Sequence, residues 1–228
     1  VIFNRFCKYP KVDRYIDEDY LESLRDQILV NIDYSNITRK HEERIEADFD
    51  IHDYNLVFKD RWNVFDQVPI QQIAQVCYLL RKVVNTDPSR IDICRELLKE
   101  NKTCIVFYNF NYELEILKSL CDEIKRPYSQ WNGQAHEPIP DTDQWIYLVQ
   151  YTAGAEGWNC TKTNVIIFYS QNYSYKVMKQ AEGRIDRRNT KYTDLYYYHL
   201  TSDSSIDQAI AKAVKTKRTF NEKAFLEL

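Results

Sequence analysis

Glycine and proline are scarce: four and six residues in a chain of 228. So little of either argues against long flexible linkers. Paired cysteines are missing too. The six (Cys7, Cys77, Cys94, Cys104, Cys121, Cys160) are widely spread with no C-x-x-C, and four sit inside apolar runs. We expect buried, reduced thiols. The histidines His41, His52, His136 and His199 lack ligand-like spacing, so we expect no bound metal. No stretch approaches the ~18 apolar residues of a membrane span, and no charged-then-apolar leader opens the chain. A cytoplasmic location is the default expectation. An excess of positive charge is also absent: the net charge is −3. This gives no support to a strongly basic nucleic-acid binder, although local strips can serve instead. Neither a phosphate-cradling GxxxxGK[ST] loop nor a DExH-like metal-holding box occurs. The chain opens at Val1, in an apolar run and without methionine, which points to a piece of something longer.

What is present reads as an ordinary globular composition, 44% hydrophobic and 29% charged. TCIVFY (103–108), WIYLVQY (145–151), NVIIFY (164–169) and LYYYHL (195–200) are short and rich in β-branched and aromatic residues. Runs apolar on both faces suit the interior of a parallel sheet covered on both sides. ELEILKSLCDEI (113–124) has helical spacing and is stopped by Pro127. Strand, helix, strand at this rhythm predicts right-handed βαβ units and an α/β, doubly wound fold. IAQVCYLLRKVV (73–84) carries another helical stripe, and Asp87-Pro88 predicts a cap and first turn of a helix to about Lys99. Ser204-x-x-Asp207 resembles a capping box ahead of a last long helix.

The first 65 residues are less regular. Asp17 to Val30 predicts a helix, and RIEADFD (44–50) alternates like a half-buried strand. The charge cluster from Arg39 to Asp53 reads as a solvated linker or edge. The 18 tyrosines lie mostly in apolar strands and read as packing.

Two segments carry candidate chemistry. YTAGAEGWNCT (151–161) follows a strand end, and Gly154 and Gly157 allow close backbone approach there. QAEGRIDRRNT (180–190) places Arg184 and Arg187 three apart, on one face of a helical turn. Two guanidinium groups so placed can grip a phosphate or stabilise charge on a transferring phosphoryl group. Either segment alone would be ordinary surface. Their order is not: a glycine loop (Ala153, Gly154, Ala155, Gly157, Asn159, Thr161), then Val165-Ile166-Ile167, then Asn172-Tyr173, then Gln180, Ala181, Arg184 and Arg187. That order resembles the motif V and motif VI region of superfamily 2 helicases, most of all Swi/Snf-type translocases and related phage helicases. Lys102–Asn111 looks like motif IV, and Tyr128–Gly133 looks like the next strand with a W-N-G turn. Motif VI departs from the Swi/Snf pattern, reading Asp186-Arg187-Arg188-Asn189-Thr190 where His-Arg-x-Gly-Gln is usual. With Trp158 and Glu156 in the loop, this tilts the resemblance towards phage or prophage helicases and away from chromatin remodellers.

The resemblance implies a RecA-like doubly wound parallel sheet with helices on both faces, preceded by an irregular N-terminal segment. Residues 1–40 would be the tail of a first lobe or an inter-lobe segment, 41–65 a linker, and 66–228 the C-terminal lobe. It implies a helicase or translocase driven by ATP and Mg²⁺, both held mainly by an N-terminal lobe of the same polypeptide. This chain alone is then expected to be inactive. Arg184 and Arg187 would reach the γ-phosphate, with Gly157, Asn159 and Gln180 beside the nucleotide. Nucleic acid, DNA in the first instance, would be met by Asn109, Asn111, Trp131, Asn132 and Thr152. Trp131 has two readings, a base-stacking surface or a packed core residue. An alternative from another class is a non-catalytic α/β interaction module of a restriction or repair complex. A stand-alone phosphotransferase fits the fold but offers no nucleophile or metal site.

Overall fold

The computed structural model describes residues 2–4, 11–14, 16–28, 38–154 and 160–226. They fall in two compact units, Val1–Asn36 and Ile37–Leu228. In the first unit β1 (Ile2–Asn4) pairs antiparallel with β2 (Lys11–Arg14), and α1 (Glu18–Ile28) follows. Glu18 and Asp19 in the first turn of α1 and Arg25 in its last turn complement the helix dipole.

The second unit runs β3 (Arg39–Glu46), α2 (Ile51–Phe58), β4 (Trp62–Asn63), β5 (Val68–Pro69), α3 (Ala74–Asn85), α4 (Pro88–Glu100), β6 (Thr103–Tyr108) and α5 (Asn111–Glu123). It continues with β7 (Tyr128–Trp131), β8 (Trp145–Gln150), α6 (Tyr151–Gly154), β9 (Val165–Phe168), α7 (Tyr175–Glu182), β10 (Asp194–Thr201), α8 (Ser205–Lys215) and α9 (Glu222–Leu226). Six strands form one sheet in the order β3-β10-β9-β6-β8-β7, every neighbouring pair parallel. The four apolar runs are its strands β6, β8, β9 and β10. Alternation along β6 explains why: Cys104, Val106 and Tyr108 enter one core with Leu114, Leu117 and Leu98, while Ile105 and Phe107 enter the other with Met178 and Ala181. Helices α4 and α5 thus cover one face, and α7 covers the other. A third core joins α2, α3, α8 and α9 through Tyr54, Leu80, Val84, Ile206, Ile210 and Phe225.

Helix ends follow local chemistry. Asp87 accepts from the Ser89 N–H at 2.9 Å with Pro88 at the first position of α4. Ser204 caps α8 by accepting from the Asp207 N–H. With so few glycines, lysine takes the left-handed position after two helices. Beyond α5, Lys125 (φ 53°) and Arg126 close a Schellman motif through Lys125 N–H to Asp122 O and Arg126 N–H to Cys121 O. Lys217 (φ 57°) does the same after α8. The cysteines Cys77, Cys94, Cys104, Cys121 and Cys160 are buried free thiols, and burial pushes Cys77 up to about 12. Cys7 lies outside the described residues.

One expectation about the N-terminal third needs correction. The strand expected at 44–50 begins at Arg39 and ends at Glu46, with almost every residue exposed. Residues 41–65, expected as a linker, form most of β3 together with α2 and β4. The reason is position in the sheet. As an edge strand, β3 is held by its backbone ladder to β10, beginning with Arg39 N–H to Thr193 O at 2.7 Å. Charged side chains suit such an edge and guard it against further pairing.

Candidate functional site

The chain leaves β6 towards β7 on one side and reaches β9 on the other, so the sheet switches direction between β6 and β9. Ligands of open α/β sheets bind at such a point, beyond the carboxyl ends of the strands. Asn109 stands there, at the end of β6. Its Nδ2 donates to Ser170 Oγ (2.8 Å) and Gln171 O (3.2 Å), and its Oδ1 accepts from Asn172 Nδ2 (2.9 Å). Gln150 Nε2 donates to its carbonyl at 3.1 Å. Asn109 therefore ties the ends of β6, β8 and β9 together, with its polar side-chain atoms already engaged.

Beneath it lies a group that sequence patterning did not reveal. Glu113 is fully buried in the first turn of α5. Its Oε2 accepts from the Asn109 N–H at 2.7 Å, its Oε1 from Asn85 Nδ2 at 2.7 Å, and Ser170 Oγ donates to it at 3.0 Å. Arg81, 2% exposed, donates Nη2 to Gln171 O at 2.7 Å, with its guanidinium between the rings of Phe110 (4.9 Å) and Tyr173 (5.0 Å). Burial alone would lower its pKa; the field of Glu113 and neighbouring tyrosines more than offsets this, and the net direction is upward. A second buried cation, Arg90, pairs with Asp207 at 2.6 Å and donates to Tyr169 O at 3.0 Å. Both arginines occupy helix positions where periodicity alone reads a charge as solvated, so the sequence carried no signal for them. The acidic residue in the first turn of α5 was the one legible hint of Glu113.

The other nucleic-acid candidates divide. Asn111, at the start of α5, and Thr152, in α6, are exposed. Asn132 is buried, and its Oδ1 accepts from the Gln134 and Ala135 N–H groups at 2.9 Å, shaping the W-N-G turn. Trp131 stacks on His136 with ring centroids 4.3 Å apart and donates Nε1–H to Ala153 O at 3.2 Å. Of the nucleotide-side candidates, Gln180 is half-buried in α7, whereas Gly157 and Asn159 lie outside the described residues.

Arg184 and Arg187 are placed differently from expectation. Helix α7 ends at Glu182, and both arginines belong to the irregular turn that follows rather than to a helical face. Nor do they lie at the carboxyl ends of the strands. Eight residues of helix, ~12 Å long at 1.5 Å per residue, carry the chain back along the sheet towards the starts of β3 and β10. Arg184 is buried, and its carbonyl accepts from the Cys160 N–H at 3.1 Å, joining it to the end of the 151–161 segment. Ile185 is fully buried in the α7-side core. Burial first, and then the charge of Arg187, lower the pKa of Arg184. Two like charges thus share one locality. Asp186, between them in sequence, pairs with Lys40 Nζ at 2.8 Å and accepts from Thr38 Oγ1 at 3.0 Å. The structure therefore makes two groups of the candidates: Asn109, Asn111, Trp131, Asn132 and Thr152 along the carboxyl edge, and the arginine turn reached through α7.

Known proteins share parts of this sequence and this fold. Residues 89–189 match the helicase conserved C-terminal domain. The chain is 23% identical over 220 residues to the ATP-dependent helicase fft2 of Schizosaccharomyces pombe, covering 90% of this chain and 16% of that protein. It superposes on the C-terminal part of the Fun30 ATPase domain with a TM-score of 0.52 at 18% identity, covering 72% of this chain and 62% of that one. The Sulfolobus solfataricus SWI2/SNF2 ATPase core, solved in complex with dsDNA, gives 0.55 at 16% identity, covering 82% and 45%. The fold is thus the RecA-like architecture of these ATPase lobes. The expected tilt towards phage or prophage helicases needs correction: the curated relatives are eukaryotic and include a chromatin-remodeling ATPase. The motif VI departures that suggested it are confined to a few residues, while the likeness to fft2 extends over most of the chain. Among the described residues, no helix is long and apolar enough to cross a membrane.

Proposed function

The chain carries the C-terminal lobe of a superfamily 2 helicase, and from that premise we propose that it is the second motor lobe of an ATP-driven DNA translocase. The observation that carries the reading is the arginine pair. Arg184 and Arg187 stand three apart in the turn after α7, inside the segment that matches the helicase conserved C-terminal domain. A nucleotide phosphate suits such a pair, since guanidinium groups match phosphate oxygens in charge and geometry.

In this reading an N-terminal lobe of the same polypeptide holds most of ATP and Mg²⁺, whose hydrolysis supplies the driving energy. Arg184 and Arg187 hold positive charge where the γ-phosphate develops negative charge. Gln180, Gly157 and Asn159 stand on the nucleotide side. Asn111 and Thr152 are exposed and available to a DNA backbone. Asn109 and Asn132, with their side-chain atoms engaged, act by shaping the edge along which the strand runs. Trp131 keeps that edge and α6 in register through Ala153.

The test is turnover in the two-lobe protein. Arg184→Ala or Arg187→Ala should lower nucleic-acid-stimulated ATP hydrolysis by about 10³-fold or more, while DNA binding survives. Near-normal turnover in both variants would refute the proposal.

A further inference from the structure

The residue between the two arginines departs from the Swi/Snf-type pattern: Asp186 stands where histidine is usual. A carboxylate beside an arginine pair meant for phosphate is chemically awkward, because it can neutralise the pair. The structure shows what this one does. The Arg187 N–H donates to Ile185 O at 3.1 Å, a three-residue turn centred on Asp186. On one side of that turn Ile185 is fully buried in the core. At its apex the Asp186 carboxylate, 7% exposed, meets Lys40 Nζ in the edge strand β3 at 2.8 Å and, just ahead of that strand, Thr38 Oγ1 at 3.0 Å. Arg187 follows directly on these two anchors, and Thr190 N–H to Arg187 O at 3.0 Å closes the next turn behind it.

We propose that Asp186 and Lys40 are positioning residues: their ion pair pins the arginine turn to β3, so that Arg184 and Arg187 keep their place for phosphate. The inference rests on the function proposed above. It also gives the start of β3 a role, since Lys40 contributes the cation and Thr38, just ahead of the strand, the hydroxyl. Lys40 is itself 39% exposed, so the pair is of modest worth to folding, as half-exposed ion pairs are. Its worth lies in direction. Misplacing a catalytic group by ~1 Å can cost ~10²-fold in rate.

The test uses the two-lobe protein and compares Lys40→Met, Asp186→Asn, the exchanged pair Lys40→Asp/Asp186→Lys, and Arg187→Ala. Each single change at the pair should lower kcat by roughly tenfold or more while KM for ATP stays within about twofold, the pattern of a group aligned for the transition state. Thermal midpoints and DNA affinity should stay near wild type, and the exchanged pair should recover most of the lost kcat. If Arg187→Ala abolishes turnover but Lys40→Met and Asp186→Asn leave kcat unchanged, the positioning role is wrong and the arginine reading stands. Loss of turnover in step with loss of folded protein, with no recovery in the exchanged pair, would also overturn it. If Arg184→Ala and Arg187→Ala both turn over normally, the positioning role falls together with the function it serves.

Discussion

Replacing Glu113 with glutamine changes almost no volume and should be among the most damaging single substitutions in the sheet's carboxyl edge. Glutamine turns one carboxylate oxygen into an NH₂. Oε1 faces Asn85 Nδ2 at 2.7 Å and Oε2 faces the Asn109 N–H at 2.7 Å, so the new NH₂ either opposes a fixed backbone donor or forces the Asn85 amide to turn over. One charge-assisted hydrogen bond is lost, worth ~1.5–3 kcal/mol. Arg81, 2% exposed, then keeps its positive charge in the core without the carboxylate whose field supports it. The lost field adds to the lost hydrogen bond, and a total of about 3–4 kcal/mol is expected here. Urea unfolding of the 228-residue chain, followed by tryptophan fluorescence, would read this as a midpoint lowered by about 1.5–2 M at a slope of ~2 kcal/mol per molar. The double variant Arg81→Met/Glu113→Gln should be better than the sum of its singles by at least ~1 kcal/mol, because both charges leave together. A Glu113→Gln variant within about 1 kcal/mol of wild type, or strict additivity in the double, would refute the reasoning.

Two further predictions concern the same unit. His199 is buried against the Phe168 ring, 4.5 Å between centroids; burial, then Arg44 and Lys179, push its pKa from 6.5 down to about 4. The folded value is below the unfolded one, so the stability it contributes is present above pH 6.5 and is lost as pH falls through about 4, ~3 kcal/mol in all. His199→Phe should flatten the urea midpoint between those pH values by about that amount; an unchanged pH dependence would show that His199 is not the titrating group. Lys125 occupies a left-handed position in the Schellman motif after α5, where a side chain costs ~1–2 kcal/mol and glycine costs nothing. After allowing for glycine's greater unfolded-state entropy, Lys125→Gly should raise stability by about 0.5–1 kcal/mol, and a lower melting temperature would contradict the assignment.

Much of the fold was legible because it rests on local or periodic chemistry. The four apolar runs read as interior strands since a parallel strand covered on both faces has no polar side to show. Asp87-Pro88 and Ser204-x-x-Asp207 marked helix starts because a cap is satisfied within three residues. The bounds of β3 were harder to read for the opposite reason. Its pairing partner, β10, begins 155 positions away at Asp194 facing Arg39, and a charged edge strand carries no hydrophobic period to announce it.

The sequence by itself carried the family resemblance and the existence of the arginine pair, because motif order survives in linear form: glycine loop, strand, polar turn, then Gln180, Ala181, Arg184 and Arg187. It could not place that pair. Spacing of three suggested one helical face at the carboxyl edge, whereas α7 ends first and returns the arginines towards the other end of the sheet. Only the tertiary structure decided which charges are buried and whom they meet: Arg81 in the field of Glu113, Arg90 on Asp207, Asp186 on Lys40. The physical reason is common to all three. A charge in a helix or turn looks solvated until distant segments remove its water, and its partner is then chosen by packing rather than by neighbourhood in the chain.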